Sequence, residues 1–127
     1  MPRLRHLSVS VSQFTPKAVR LLGQSRNLPA LTELDLSSAF GDFLHQNDPG
    51  QGDAHLSALA DSPLIEQLDH LWLADNGISD AGVNALAASP CRLRLRSLDL
   101  TRNPISARAR RALRRRFGEK VCVFGDN

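Results

Sequence analysis

"LDHLWLADNGIS" at residues 68–79 and "LRSLDLTRNPIS" at residues 95–106 are one pattern written twice. Leu68/Leu95, Leu71/Leu98, Leu73/Leu100, Asn76/Asn103, Ile78/Ile105 and Ser79/Ser106 match at a constant offset of 27 residues. Self-similarity at a period of about 20–50 residues marks a repeat architecture, in which each unit buries its apolar face only by stacking on its neighbours. Upstream, "LTELDLSS" at 31–38 supplies Leu31, Leu34 and Leu36, and "LRHLSVSVSQFT" at 4–15 supplies Leu4, Leu7, Val9 and Phe14. Leu4 and Leu31 are again 27 apart, whereas Leu31 and Leu68 are 37 apart, so the second unit carries an insertion at about 38–52. The unit tails "AVRLLGQS", "HLSALADSP" and "GVNALAASP" repeat in parallel. The chain thus divides into units at approximately 4–30, 31–67, 68–94 and 95–120, with a closing strand at about 121–124 in which Val121 and Val123 alternate with Cys122.

Each "LxL" alternates with period two, the mark of a half-buried strand. Helix starts follow: Thr15-Pro16, Ser79-Asp80 and Ser106 are capping signals, and Gly23, Ser62-Pro63, Ser89-Pro90 and Gly118 are stops. Strand–helix–strand alternation makes the sheet parallel. A doubly wound sheet would bury both faces and need continuous apolar strands. The outward positions here are Ser8 and Ser10, Asp35 and Ser37, Trp72 and Ala74, Asp99 and Thr101, so one face is open to water. Asn76-Gly77 would elsewhere mark a hairpin turn. At a fixed place in a repeat, the Asn76 amide is instead expected to satisfy buried backbone groups of the neighbouring coil.

Each unit reads L-x-x-L-x-L-x-x-N-x-I, then a helix start, then an apolar helix. In this the chain resembles the leucine-rich-repeat family, and within it the helix-bearing, ribonuclease-inhibitor-like subtype. Ser12 and Ala39 replace the asparagine in the first two units. "RRRFGEKVCVF" looks like the ending of bacterial arrays of this type. The resemblance implies a short α/β horseshoe solenoid, with an inner parallel β-sheet, outer α-helices, about four repeats and a closing strand. It also implies a non-catalytic module that binds a protein partner through the concave sheet and the inserted loop.

The parity that turns Leu71 and Leu73 inward turns Trp72, the only tryptophan, onto the concave face. Its column reads Ser8, Asp35, Trp72, Asp99, and the one before it His6, Glu33, His70, Ser97. An indole flanked by aspartates and set beside His70 is expected to be mostly wet in the free protein. Tryptophan is enriched among binding hot spots, and acidic neighbours suit a basic partner. The plainer alternative is that Trp72 only shields the sheet. His6, Glu33 and His70 share a column, as metal ligands would, but surface histidines near a glutamate are commoner than metal sites, and no metal is expected. In the insertion, Phe40, Phe43 and Leu44 form either a binding loop or a plug that folds back over the coil lacking its asparagine.

Net charge is +3 but uneven: residues 1–101 hold 8 basic and 11 acidic side chains, and residues 102–127 hold 8 and 2. In "SARARRALRRRFG", Ala109, Leu113 and Phe117 make an apolar face, and Arg108, Arg111, Arg114 and Arg115 lie opposite. That is either a solvated outer face or an electrostatic surface for nucleic acid or an acidic partner, without an aromatic platform for bases. No P-loop, nucleophile elbow or dinucleotide fingerprint is present, so neither catalysis nor a cofactor is expected. No apolar run reaches the roughly 18 residues of a membrane span, and "MPRLRHLSVS" lacks an apolar signal core. Two cysteines in different contexts make neither a disulfide framework nor a zinc site, and a reducing, cytoplasmic setting is the default expectation. With only Met1, Pro2 and Arg3 before Leu4, the first coil is expected to have an uncapped edge. Either another copy of the chain or a further segment is predicted to cover it, self-association running through residues 4–11 and the helix at 16–22.

Overall fold

The computed structural model describes residues 4–9, 15–25, 28–39, 50 and 52–125. Phe40, Phe43 and Leu44 of the insertion lie outside the described residues, as do Ser10 and Ser12 of the first unit. Five strands form one sheet: β1 (His6–Ser8), β2 (Glu33–Asp35), β3 (His70–Trp72), β4 (Ser97–Asp99) and β5 (Cys122–Val123). Their order in space is their order in the chain, and every pair is parallel. Four helices alternate with them: α1 (Pro16–Gly23), α2 (Asp53–Ala60), α3 (Asp80–Ala87) and α4 (Ala107–Phe117), each packed against the next.

The register carries the repeat into space. Leu7, Leu34, Leu71, Leu98 and Cys122 stand side by side in successive strands. Leu31, Leu34, Leu36, Leu68, Leu71, Leu73 and Leu98 are wholly buried. Val19, Leu56, Leu59, Val83, Leu86 and Leu113 close the core from the helices. Each such side chain contributes roughly 1.5–3 kcal/mol of burial. The four-unit α/β solenoid expected from the period is the fold observed.

Three residues beyond β2, β3 and β4 stands a left-handed residue at the same place in each unit: Ser38, Asp75 and Arg102, with φ of 57°, 59° and 61°. The chain turns off the sheet there, and the next residue is the asparagine or its substitute. Asn103 Oδ1 accepts from the backbone N–H of Asn76 and of Ile78, both at 3.0 Å, and its Nδ2 donates to Leu73 O at 2.9 Å. Asn76 does the same one coil earlier, accepting from Ala39 N–H at 3.0 Å and donating to Leu36 O at 2.9 Å. The ladder stops at Ala39, which has no side-chain amide to pass on.

Two local expectations need correction. Ser79 sits at the N-cap of α3 but makes no capping bond with its side chain, unlike Thr15 and Ser106. Its hydroxyl instead donates to Asp53, whose Oδ1 also accepts from Ser79 N–H at 2.7 Å. Gly23 is the last residue of α1 rather than the stop beyond it. A Cβ there would fall 2.4 Å from Ser62 Cβ, so close approach of the next coil, not chain reversal, requires the glycine. In the closing strand the inward position belongs to buried Cys122, while Val123 is 48% exposed. Beyond Ser62-Pro63 the chain also makes a short 3₁₀ turn, Pro63–Gln67, whose Gln67 side chain donates to Leu28 O and Leu31 O at 2.7 and 2.8 Å.

Candidate functional site

All four helices back one face of the sheet, and the other face presents the outward residues of each strand. His6, Glu33, His70 and Ser97 align in one row, and Ser8, Asp35, Trp72, Asp99 and Val123 in the next. These rows follow from strand parity alone, because neighbours across a parallel sheet are in register.

At the centre, Trp72 is half-buried. Its indole lies 5.9 Å from the His70 ring, stacked at 25°, and 5.8 Å from the His6 ring, tilted at 56°. The indole therefore reaches across β2 towards β1 and is covered on two sides by imidazoles. The expectation of a mostly wet ring is corrected on that ground. His6 Nδ1 meets Glu33 Oε1 at 3.1 Å. His6 and Glu33 come together, but His70 is engaged with the indole. Among the described residues no group of three His, Cys, Asp or Glu is placed to hold a metal ion.

Asp35 and Asp99 flank Trp72 in its own row. Each folds back on its own strand: Asp35 Oδ1 accepts from Ser37 N–H at 3.0 Å and Asp99 Oδ1 from Thr101 N–H at 2.9 Å. These bonds fix two carboxylates on either side of the ring, and a carboxylate has about four lone-pair sites, more than one such bond occupies. The result is an aromatic centre with fixed negative charge to left and right and polar imidazole edges above.

The four arginines predicted to share one face of α4 divide. Arg108, Arg111 and Arg115 line a groove shared with α3, whereas the Arg114 guanidinium lies over the Phe124 ring at 5.2 Å, beside that of Arg110 at 5.1 Å. Arg116, which the sequence did not single out, donates to three backbone carbonyls of the preceding coil. Asp53 and Asp80 were also missed. They repeat at the unit offset of 27 and hold successive helix starts together, Asp80 accepting from Ser106 N–H at 2.8 Å and from its hydroxyl at 2.6 Å. The repeated Asp-Ala pair that opens both helices was the signal for them. Burial pushes the Cys122 thiol up to about 11 despite the opposing pull of Arg114, so it stays protonated and is a packing group rather than a nucleophile at neutral pH.

No helix among the described residues is long and apolar enough to cross a membrane. No curated protein matches the chain. The leucine-rich-repeat family model matches residues 68–87 and 95–113, which are the third and fourth strand–helix units. Repeats of this family are generally protein-interaction modules and generally not catalysts. With those two units set among five parallel strands and four helices, the fold is an α/β solenoid of leucine-rich repeats.

Proposed function

We propose that this is a non-catalytic module that binds a partner protein through its concave sheet, with Trp72 as the anchor. One observation carries the reading: a large, half-buried aromatic at the centre of an open sheet face, braced by His6 and His70 and flanked by Asp35 and Asp99. Bracing lowers the entropy lost when the indole is fixed against a partner, and the carboxylates favour a basic segment. A helix after every described strand but the last supports the ribonuclease-inhibitor-like subtype. Two free cysteines, one of them buried, suit a reducing compartment such as the cytoplasm.

The test is affinity capture with wild type, Trp72→Ala, the pair Asp35→Asn/Asp99→Asn, and Arg111→Gln/Arg115→Gln as a control on the opposite face. A partner bound on the concave sheet is lost with Trp72→Ala, at a cost of about 2 kcal/mol or more, roughly thirtyfold in Kd. It is weakened by the aspartate pair and kept by the control. A partner retained equally by all four proteins would remove the concave face from the account.

A further inference from the structure

The solenoid's outer surface has a second feature that the concave reading leaves unused. Between α3 and α4 runs a groove of about 830 Å³. Arg108, Arg111 and Arg115 of α4 line it, at i, i+3 and i+7, so they share one stripe about 10 Å long. Its floor is Ala109 and Ala112, small enough to let another chain approach closely, and Asn84 of α3 adds a carboxamide that both donates and accepts. Asp80 also lines the groove, each of its oxygens accepting one hydrogen bond from Ser106, and it sets one carboxylate against three guanidinia. The ion pair found among the described residues is His6–Glu33, on the other face, so none of these three guanidinia has a described carboxylate within 4.0 Å. Three like charges held along one stripe oppose helix formation, and an anion laid against them would relieve that repulsion.

The charge at one end of the groove narrows the choice of anion. Asp80 lies there, and the hydrogen bonds from Ser106 hold its carboxyl below the usual range, so it is charged at neutral pH. Glu119, just beyond α4, lies outside the groove in a separate hollow with Arg111, Arg114 and Arg115. A nucleic acid, with a duplex charge every 1.7 Å or so, would run past the first end and meet the Asp80 carboxylate. Among the described residues no aromatic ring lines the groove to stack a base. A short cluster of carboxylates has neither difficulty. Guanidinium forks match carboxylates in geometry, and glutamates at i, i+3 and i+7 of a second helix repeat the spacing of the three arginines. We propose that the α3–α4 groove docks a short acidic helix of a partner protein, whose carboxylates pair with Arg108, Arg111 and Arg115.

The experiment uses a labelled, alanine-based helical peptide with glutamates at i, i+3 and i+7, and an isomer with the same glutamates spread around the helix. The striped peptide binds wild type more tightly than the isomer. Arg108→Gln/Arg111→Gln/Arg115→Gln weakens it by about tenfold or more, and Asn84→Glu, which places a carboxylate in the groove without touching α4, weakens it as well. Trp72→Ala leaves peptide binding unchanged, so loss here and loss on the concave face are read separately. Equal binding of the two peptides, or undiminished binding by a triple variant whose circular dichroism is native, overturns the proposal. So does displacement of the striped peptide by duplex or single-stranded DNA at matched charge, which would give the groove to nucleic acid.

Discussion

Arg116 is the clearest case of a residue whose neighbours conceal its work. It stands in the run Arg114-Arg115-Arg116, which reads as solvated charge. In the fold its guanidinium reaches back under the end of α3 and donates to Ala87 O at 2.7 Å, Ser89 O at 3.1 Å and Cys91 O at 3.1 Å. The last carbonyls of a helix have no partner within it, and positive charge is favoured there. A guanidinium presents five donors in a rigid planar fork that spans these three carbonyls, whereas the three donors of an ammonium radiate from a single nitrogen. Arg116→Ala is expected to lower stability by about 1–3 kcal/mol in urea unfolding, and Arg116→Lys to recover little of it. Arg115→Ala, one residue earlier, should stay within about 0.5 kcal/mol. The same single-residue logic applies to the strand pair at the site. Leu73 is wholly buried and Trp72 only half-buried, so Leu73→Ala should cost roughly 2–5 kcal/mol and Trp72→Ala less. The reverse order would mean that the indole is a core residue and not an anchor.

Between coils, two ladders do the joining: the asparagines on the inside of the turn and the Asp–Ser pairs at the helix starts. The asparagine ladder was legible because Asn76 and Asn103 match at the unit offset and an amide both donates and accepts. The Asp–Ser ladder was not, because a serine before a helix is ordinarily read as its own cap, and nothing in one unit reveals that Ser79 and Ser106 serve the preceding coil. Side-chain direction was legible wherever period two applied, which is why the rows through Trp72 and His70 came out in register. Which way the indole leans was not, since that depends on the room left by Glu33 and Asp35 between His6 and Trp72. Nor did the sequence separate Arg114 from Arg111 and Arg115. Their split is fixed by where Phe124 folds back at the chain's closing strand.

The Asp80 rung carries a pH signature. Hydrogen bonds from the Ser106 side chain and then from its backbone lower the Asp80 pKa below 3.8, and slight desolvation opposes them. A carboxyl whose folded pKa is depressed stabilises the fold above its unfolded pKa, and the gain disappears as pH falls through the folded value. The stability gap between wild type and Asp80→Asn should therefore be flat from neutral pH down to about 5, then close below about 4. A gap that persists unchanged at pH 2 would show that the rung acts through packing rather than charge. The turn itself offers a gain. Arg102 holds φ at 61°, where an L-residue pays about 1–2 kcal/mol and asparagine less, so Arg102→Asn should raise the unfolding midpoint.

For the molecule as a whole, nearest-neighbour coupling predicts stability that is graded along the array instead of uniform. Coils three and four are joined by three hydrogen bonds of Asn103, to Asn76 N–H, Ile78 N–H and the carbonyl of Leu73. Coils two and three share the amide of Asn76. Ala39 provides no such link to coil one, where Leu4, Leu7 and Val9 are only partly buried and Leu21 is 63% exposed. Two amides isolate the effect, because their own bonds are alike: Val9 N–H donates to Asp35 O at 2.9 Å and Leu73 N–H to Asp99 O at 2.8 Å. If local bond strength governed opening, they would exchange with solvent at similar rates. If coil-to-coil coupling governs it, Val9 should exchange at least about a hundredfold faster, the factor set by a difference of roughly 3 kcal/mol in opening free energy. Asn103→Ala leaves Asn76 N–H, Ile78 N–H and Leu73 O buried without that partner and should cost about 3–5 kcal/mol. It should speed Leu73 exchange far more than Val9 exchange. Native-state hydrogen exchange on wild type and Asn103→Ala measures both amides in one experiment. Equal rates at Val9 and Leu73, responding equally to the substitution, would mean that the four coils open only together and that the missing rung at Ala39 has no consequence for the array.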